Sequence, residues 1–276
     1  MRRPLRRLLF LILVFVILTQ TGFCTAVAQK LGLQKTAEST AEATVDPVPL
    51  NTYTWSSLSG ENGRYSYHDG IYTSLFGIDV SAHQGTVDWA AVKADGVQFA
   101  MIRAGYRGYE SGQIHEDDCF RANMDGASQA GLPVGVYYFS QAVTTEEAQE
   151  DAQWVLNEIQ SWPVAYPVVF DMEAVSDHDR IADLSVDQKT EIAAAFCVVI
   201  QEAGYVPMIY GSASWLHNDI HMEQAGDGVQ FWVASYQQAD PQFRYEFTMW
   251  QYSSEGSVKG IDGNVDFNLW LEKIQK

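Results

Sequence analysis

The stretch PVVFDMEAVSD, Pro167 to Asp177, sets Asp171 and Glu173 two residues apart directly behind an apolar run. Val168, Val169 and Phe170 read as a strand buried on both faces. Side chains alternate along a strand, so both carboxylates point to one side at its end. Like charges held together out of water cost desolvation and mutual repulsion, and both effects raise a carboxyl pKa. One of the pair can then keep its proton near neutral pH and act as a general acid, while its ionised neighbour plays a different part. Two further acids sit in strand-like runs, Asp79 in FGIDV and Asp266 in VDFNLW. A lone strand-end acid is ordinarily a cap, a turn residue or an ion-pair partner. An Asp-x-Glu pair with two more acids in comparable places reads as a site.

These acids can meet only if the chain brings separate strand ends together. From Leu75 onward the sequence alternates strand-like and helix-like segments. FGIDV, VQFAMIRAG, LPVGVYYFS, YPVVFDME, VPMIYG, QFWVASY, FTMWQYS and VDFNLW are strand-like. VDWAAVKADG has helical spacing and stops at Gly96, and EDDCFRANMDGASQAG ends at Gly131. TTEEAQEDAQWVLNEI opens on Thr144 or Thr145 as N-cap with acids in its first turn. SVDQKTEIAAAFCVVIQEAG takes Ser185 as cap and Gly204 as stop, and a short helical piece precedes QFWVASY. The alternation predicts an α/β fold with a parallel sheet. Eight strands, five of them followed by helices, suggest an irregular TIM-like barrel whose last third lacks long helices. Chemistry in such barrels sits at the C-terminal strand ends.

Composition narrows the function. The 276 residues are 47% hydrophobic, enough for a sizeable core, and the formal charge of −18 argues against nucleic acid as a partner. Residues 1–28 carry four arginines, an apolar run from Leu8 to Leu18 and then Ala26-Val27-Ala28. That is the order of a secretory signal peptide, with a retained N-terminal membrane anchor as the alternative. The expected location is therefore extracellular or at the cell surface, with membrane association through this segment alone. Cys24 follows Phe23, where lipid attachment wants a small residue. Residues 29–74, rich in Thr, Ala, Glu and Pro at first, read as a linker, so the catalytic domain is expected over 75–276. Cys119 and Cys197 read equally as two buried thiols or one bridge. His217 and His221 are four apart but lack the Glu of a His-Glu-x-x-His motif, and no metal or other cofactor is expected.

Seven segments in order, GIDVSAHQGTVDW, FAMIRAGY, GLPVGVYYF, VVFDME, GYVPMIYGS, FWVASY and MWQYSSEGSVKGIDGNVDFN, resemble the successive motifs of glycoside hydrolase family 25. These are N-acetylmuramidases, lysozymes that cut bacterial peptidoglycan. The resemblance spans roughly Phe76 to Trp270 and implies a flattened barrel of eight strands with five helices. It makes Glu173 the general acid, Asp171 its neighbouring catalytic carboxylate, and Asp79 and Asp266 the remaining acids of the site. Many members read Lys-Ala-x-Glu-Gly after the second strand. Here RAGYRG keeps a cation at Arg103 and puts Tyr106 in place of the acid, a change that bears on substrate contacts and leaves catalysis intact.

Glycoside cleavage needs an acid that holds its proton until the leaving oxygen takes it. The implied substrate, peptidoglycan glycan strands, asks for aromatic platforms, and Tyr138, Tyr210, Trp232, Tyr236 and Trp250 lie at or near strand ends. Arg103 and His83, the latter beside Asp79, join them as substrate-binding candidates, whereas Trp89 and Trp154 fall in helices and read as packing. N-acetylmuramic acid carries a 2-acetamido group that can itself attack the anomeric carbon, which predicts retention by substrate-assisted catalysis. A chitinase-like glycosidase would carry further acids where Val169 and Pro167 stand. A non-catalytic wall-binding protein on the same fold would be marked by a lost acid. The chain is expected to act as a monomer.

Overall fold

The computed structural model describes residues 48–275, except 177, 237 and 238. The expected leader, residues 1–28, and the linker as far as residue 47 lie outside the described residues. The described part opens with a hairpin of β1 (Leu58–Glu61) and β2 (Arg64–Tyr67). Its turn residues Asn62 and Gly63 have φ of 53° and 78°, the left-handed backbone of a two-residue type I′ turn.

The strands that follow are β3 (Tyr72–Val80), β4 (Phe99–Arg107), β5 (Ile114–Glu116), β6 (Val134–Phe139), β7 (Val168–Asp171), β8 (Pro207–Ser212), β9 (Gln230–Ala234), β10 (Met249–Gly256) and β11 (Val265–Lys273). The order β3-β11-β10-β9-β8-β7-β6-β4, with β3 pairing back onto β4, closes eight strands into a barrel. All neighbours are parallel except β11, which runs antiparallel to both β10 and β3. β5 turns back antiparallel on the far end of β4, over Gly105 to Arg107. Among the described residues the α-helices are α1 (Trp89–Ala94), α2 (Phe120–Ala130), α3 (Thr145–Ile159), α4 (Val186–Glu202) and α5 (Ala213–Asn218). The fold is the expected α/β barrel of eight strands and five helices.

Local chemistry sets the helix ends. Thr144, rather than Thr145, caps α3 by accepting from the Glu147 N–H at 3.2 Å. Ser185 and Gln188 form a capping box at the start of α4, satisfying otherwise orphaned N–H groups. Gly131 ends α2 in the left-handed conformation, φ 65°. No helix among the described residues is long and apolar enough to cross a membrane.

The period-two alternation of the strands splits the core into two layers. Phe99, Met101, Val169, Met208, Trp232 and Met249 fill the barrel interior. Ile102, Val136, Val168 and Phe170 face outward and pack with helix residues such as Val155, Phe196 and Ile200.

The segment before the expected boundary at Leu75 packs against the barrel. Among the described residues no α-helix lies between β9, β10 and β11, so the outer face of β10 needs other cover. Residues 48–74 supply it. Trp55 and Tyr65 meet Trp250 at centroid distances of 5.7 and 5.6 Å, and Tyr65 meets Tyr252 at 4.6 Å. Tyr53 donates its hydroxyl to the Phe247 carbonyl at 2.6 Å, and Tyr67 is 2% exposed. This stretch is part of the folded body, because its aromatic residues bury apolar surface that the barrel cannot cover itself.

A chain beginning at Leu75 should therefore aggregate or melt well below one beginning at Val48. Tyr67→Ala should cost about 3 kcal/mol, or roughly 6–12 °C in melting temperature for a domain of this size. Thermal denaturation followed by circular dichroism reads both, and equal melting of the two chains would contradict the assignment.

Candidate active site

Asp79 lies one residue before the end of β3, and Asp171 is the last residue of β7. Glu173 lies beyond β7 in irregular backbone, so strand alternation alone does not align it with Asp171. The two carboxyls nevertheless lie close enough to interact electrostatically. Because β11 is antiparallel, its beginning is what reaches the mouth of the barrel, and Asp266 stands directly opposite Asp79 in register. All four acids line one cavity of about 220 Å³, together with Arg103, Tyr137, Phe139, Tyr210, Trp232 and Gln251. Two larger hollows, about 510 and 790 Å³, lie around Gly226–Phe231 and the β1–β2 hairpin, away from this cluster.

Asp79 and Asp171 are buried, Asp266 is half-buried and Glu173 opens to the cleft. Burial pushes the carboxyl pKa of all four up, far up for Asp79 and Asp171. Repulsion between neighbouring carboxyls adds to this, Glu173 acting on Asp171 and Asp266 on Asp79. Asp171 is the more deeply buried of its pair, and the pair as a whole holds a proton more tightly than free carboxyls do. Asp171 Oδ1 is buried with no hydrogen-bond partner.

Neutral donors hold Asp79 in place. Its Oδ2 accepts from Gln251 Nε2 and Asn268 Nδ2, each at 2.8 Å. The Trp232 indole N–H donates to Asn268 Oδ1 at 2.9 Å, and an indole can only donate, so it orients that amide. The Tyr210 and Tyr236 hydroxyls do the same for Gln251, donating to its Oε1 at 2.8 and 2.6 Å. Arg103 brings positive charge to the cavity and opposes the rise at Asp171. Its Nε donates to Asp117 Oδ2 at 2.8 Å, and that carboxylate also accepts from the Ala82 and Cys119 N–H groups at 3.0 and 2.9 Å.

Of the aromatic candidates, Tyr210 and Trp232 line the cavity, and Tyr236 sits at its rim, joined through Gln251. Tyr138 and Trp250 do not, because their strand parity turns them outward. Tyr138 is fully buried beneath α3, donating to Asp151 Oδ1 at 3.0 Å, while its neighbour Tyr137 faces in. Trp250 packs on the N-terminal segment and donates to the Ser235 carbonyl at 2.9 Å, while Gln251 faces in. His83 stands exposed in a 3-10 turn after β3 and does not line the cavity, because the Ser81 capping box with Gln84 turns the chain away. Trp89 and Trp154 pack in α1 and against Tyr138.

Nothing local in the sequence marks Gln251 or Tyr137 as site residues. Asn268 was legible, since it follows Asp266 by two residues on the same strand face. Cys119 and Cys197 are both free thiols. His217 stacks on Tyr245 and His221 Nε2 meets Asp187 at 3.0 Å. Among the described residues, no three His, Cys, Asp or Glu side chains are grouped to hold a metal ion.

The sequence profile described as Glycosyl hydrolases family 25 matches residues 78–261. Lysozyme M1 of Streptomyces globisporus is 31% identical over 201 residues, 70% of this chain and 66% of that protein. The autolytic lysozyme of Clostridium acetobutylicum is 26% identical over 198 residues, 72% of this chain and 56% of that protein. The solved structure of the modular autolysin LytC from Streptococcus pneumoniae aligns with a TM-score of 0.65 at 25% identity, covering 78% of this chain and 52% of that one. The bacterial lysozyme from Streptomyces coelicolor aligns at 0.57 and 28% identity, covering 70% of this chain and 90% of that one. The chain thus spans little more than half the length of some relatives it matches. With the profile running from the β3 acid site through β10, and four carboxyls meeting at the mouth of a closed eight-stranded barrel, the chain belongs to glycosyl hydrolase family 25.

Proposed function

We propose that this chain is an N-acetylmuramidase, hydrolysing the β-1,4 bond between N-acetylmuramic acid and N-acetylglucosamine in bacterial peptidoglycan, with retention through substrate assistance. The observation that carries the reading is the buried, unpartnered Oδ1 of Asp171 beside the Glu173 carboxyl. The relatives named lysozymes support it. In this mechanism the 2-acetamido N–H of muramic acid donates to Asp171 Oδ1, which stabilises the Asp171 anion and leaves the shared proton on Glu173. The acetamido oxygen attacks the anomeric carbon while Glu173 protonates the departing glucosamine oxygen, giving an oxazolinium ion and a Glu173 carboxylate. Glu173 then takes a proton from water as that water opens the ring at the anomeric carbon, restoring both the acid and the starting configuration. Asp79 and Asp266 hold sugar and water, with Tyr210, Trp232, Tyr236 and Arg103 as the substrate-binding side chains. The protein acts as a monomer on glycan strands outside the cytoplasm.

Purified protein should release muropeptides with N-acetylmuramic acid at the new reducing end, and NMR at early times should find that end in the β configuration. N-acetylglucosamine there by mass spectrometry would sink the muramidase assignment. An early α product would rule out the assisted route.

Glu173→Gln should abolish nearly all turnover, and Asp171→Asn should lower kcat by about 10²–10⁴-fold. Turnover should fall as pH rises through the raised pKa of the Asp171–Glu173 pair, because the acid is lost. Stability has the matching sign. The native state binds protons that the unfolded chain releases, so ionising the pair destabilises the fold as pH climbs above the ordinary carboxylate range. Glu173→Gln should therefore melt higher than the parent at neutral pH, with the gap closing in acid; a lower melting point throughout would contradict the repulsion argument.

Export should remove residues 1–28, since Ala26 and Ala28 have the size and spacing a signal peptidase requires. N-terminal sequencing of secreted protein should begin at Gln29, whereas Met1 recovered in a membrane fraction would indicate the anchor.

A further inference from the structure

Glu173 stands two residues beyond the last ladder pairing of β7, and irregular backbone must hold it to atomic tolerance. The turn leaving β6 does this from one side. The Ser140 N–H donates to the Asp171 carbonyl at 2.7 Å, and Gln141 Nε2 donates to the Glu173 carbonyl at 2.7 Å. A carbonyl only accepts, so the contact sets which way the Gln141 amide faces. Gln141 is wholly buried, and its Oε1 has no hydrogen-bond partner. A half-used amide is a cost to stability that Leu or Met in the same space would avoid. The donor has a use that offsets this cost.

Gln141 is itself fixed. Its own carbonyl accepts from Arg180 Nη1 at 2.9 Å, and Arg180 pairs through both terminal nitrogens with Glu147 in the first turn of α3, at 2.7 and 3.1 Å. Glu147 Oε2 in turn accepts from the Val143 N–H at 2.9 Å. On the far side of Glu173, Asp179 accepts from the Val175 and Ser176 N–H groups. The main chain is thus clamped at Glu173 and again at Val175, and only side-chain torsions separate the Glu173 carboxyl from Asp171.

We infer that Gln141 is a positioning residue for the proton-donating Glu173, acting through its main-chain carbonyl; this rests on the muramidase reading of Glu173. Gln141→Met fills the space without a donor. Gln141→Glu keeps the shape and can donate only when protonated. On soluble peptidoglycan fragments, Gln141→Met should lower kcat by about 10–100-fold, the scale of a misplacement near 1 Å, with the melting temperature retained. KM should stay within about twofold, since the loss falls on the transition state. The alkaline limb of its kcat–pH profile should move to lower pH, because a looser Glu173 regains solvent. Turnover of Gln141→Glu relative to the parent should recover as pH falls. Parent-like kcat in both variants would overturn the proposal, as would a kcat loss that only tracks the melting temperature with the limb unmoved. Glu173→Gln run alongside separates the two readings. If it is inactive while the Gln141 variants turn over normally, only the positioning role fails; if it is active, the muramidase reading itself fails.

Discussion

Four carboxyl groups facing one small cavity repel each other, and burial removes the water that would screen them. A fold can relieve this with cations, which would pin every group as an anion, or with neutral donors, which soften the repulsion without settling who is charged. This barrel relies chiefly on the second. Asp79 receives two amide N–H groups, and those amides are oriented by one indole and two phenols. Arg103 is restrained by Asp117 and bears on Asp171 from the side. The result is a set of acids that hold their protons to higher pH than exposed carboxyls do.

The barrel's geometry follows from the need to bring these groups together. Parallel strands deliver Asp79 and Asp171 by their C-terminal ends. An antiparallel closing strand delivers Asp266 by its beginning, and its register places that acid across from Asp79. An added helix-linked parallel strand would have put a different part of the chain at the mouth. Ending the barrel this way leaves the outer face of β10 without helices. The aromatic residues of the N-terminal segment cover it, so a stretch outside the matched family region becomes part of the same folded body.

Stability and function pull in opposite directions at Glu173. Extending β7 by two residues would have held the acid with ladder hydrogen bonds. The chain instead leaves the sheet at Asp171, freeing Glu173 to face the cleft, and secures it with side chains from the loops on either side. Loops braced in this manner let an exposed group be placed accurately on a rigid scaffold.

The sequence by itself determined the eight strands, the five helices, their caps and the four acids, because each rests on local signals: period-two runs, Thr144 and Ser185 before helical spacing, glycine stops, and an Asp-x-Glu behind an apolar run. Only the tertiary structure decided which aromatic residues reach the cavity. Tyr137 and Tyr138 are both apolar-strand tyrosines, and Trp250 and Gln251 are neighbours; one step of register sends one inward and the other out, and register is set by pairing with distant strands. The same holds for residues 48–74. Their turn signals and scattered tyrosines show no apolar periodicity, and they fold because β10 presents a bare apolar face more than 170 residues further along the chain, which no local pattern records.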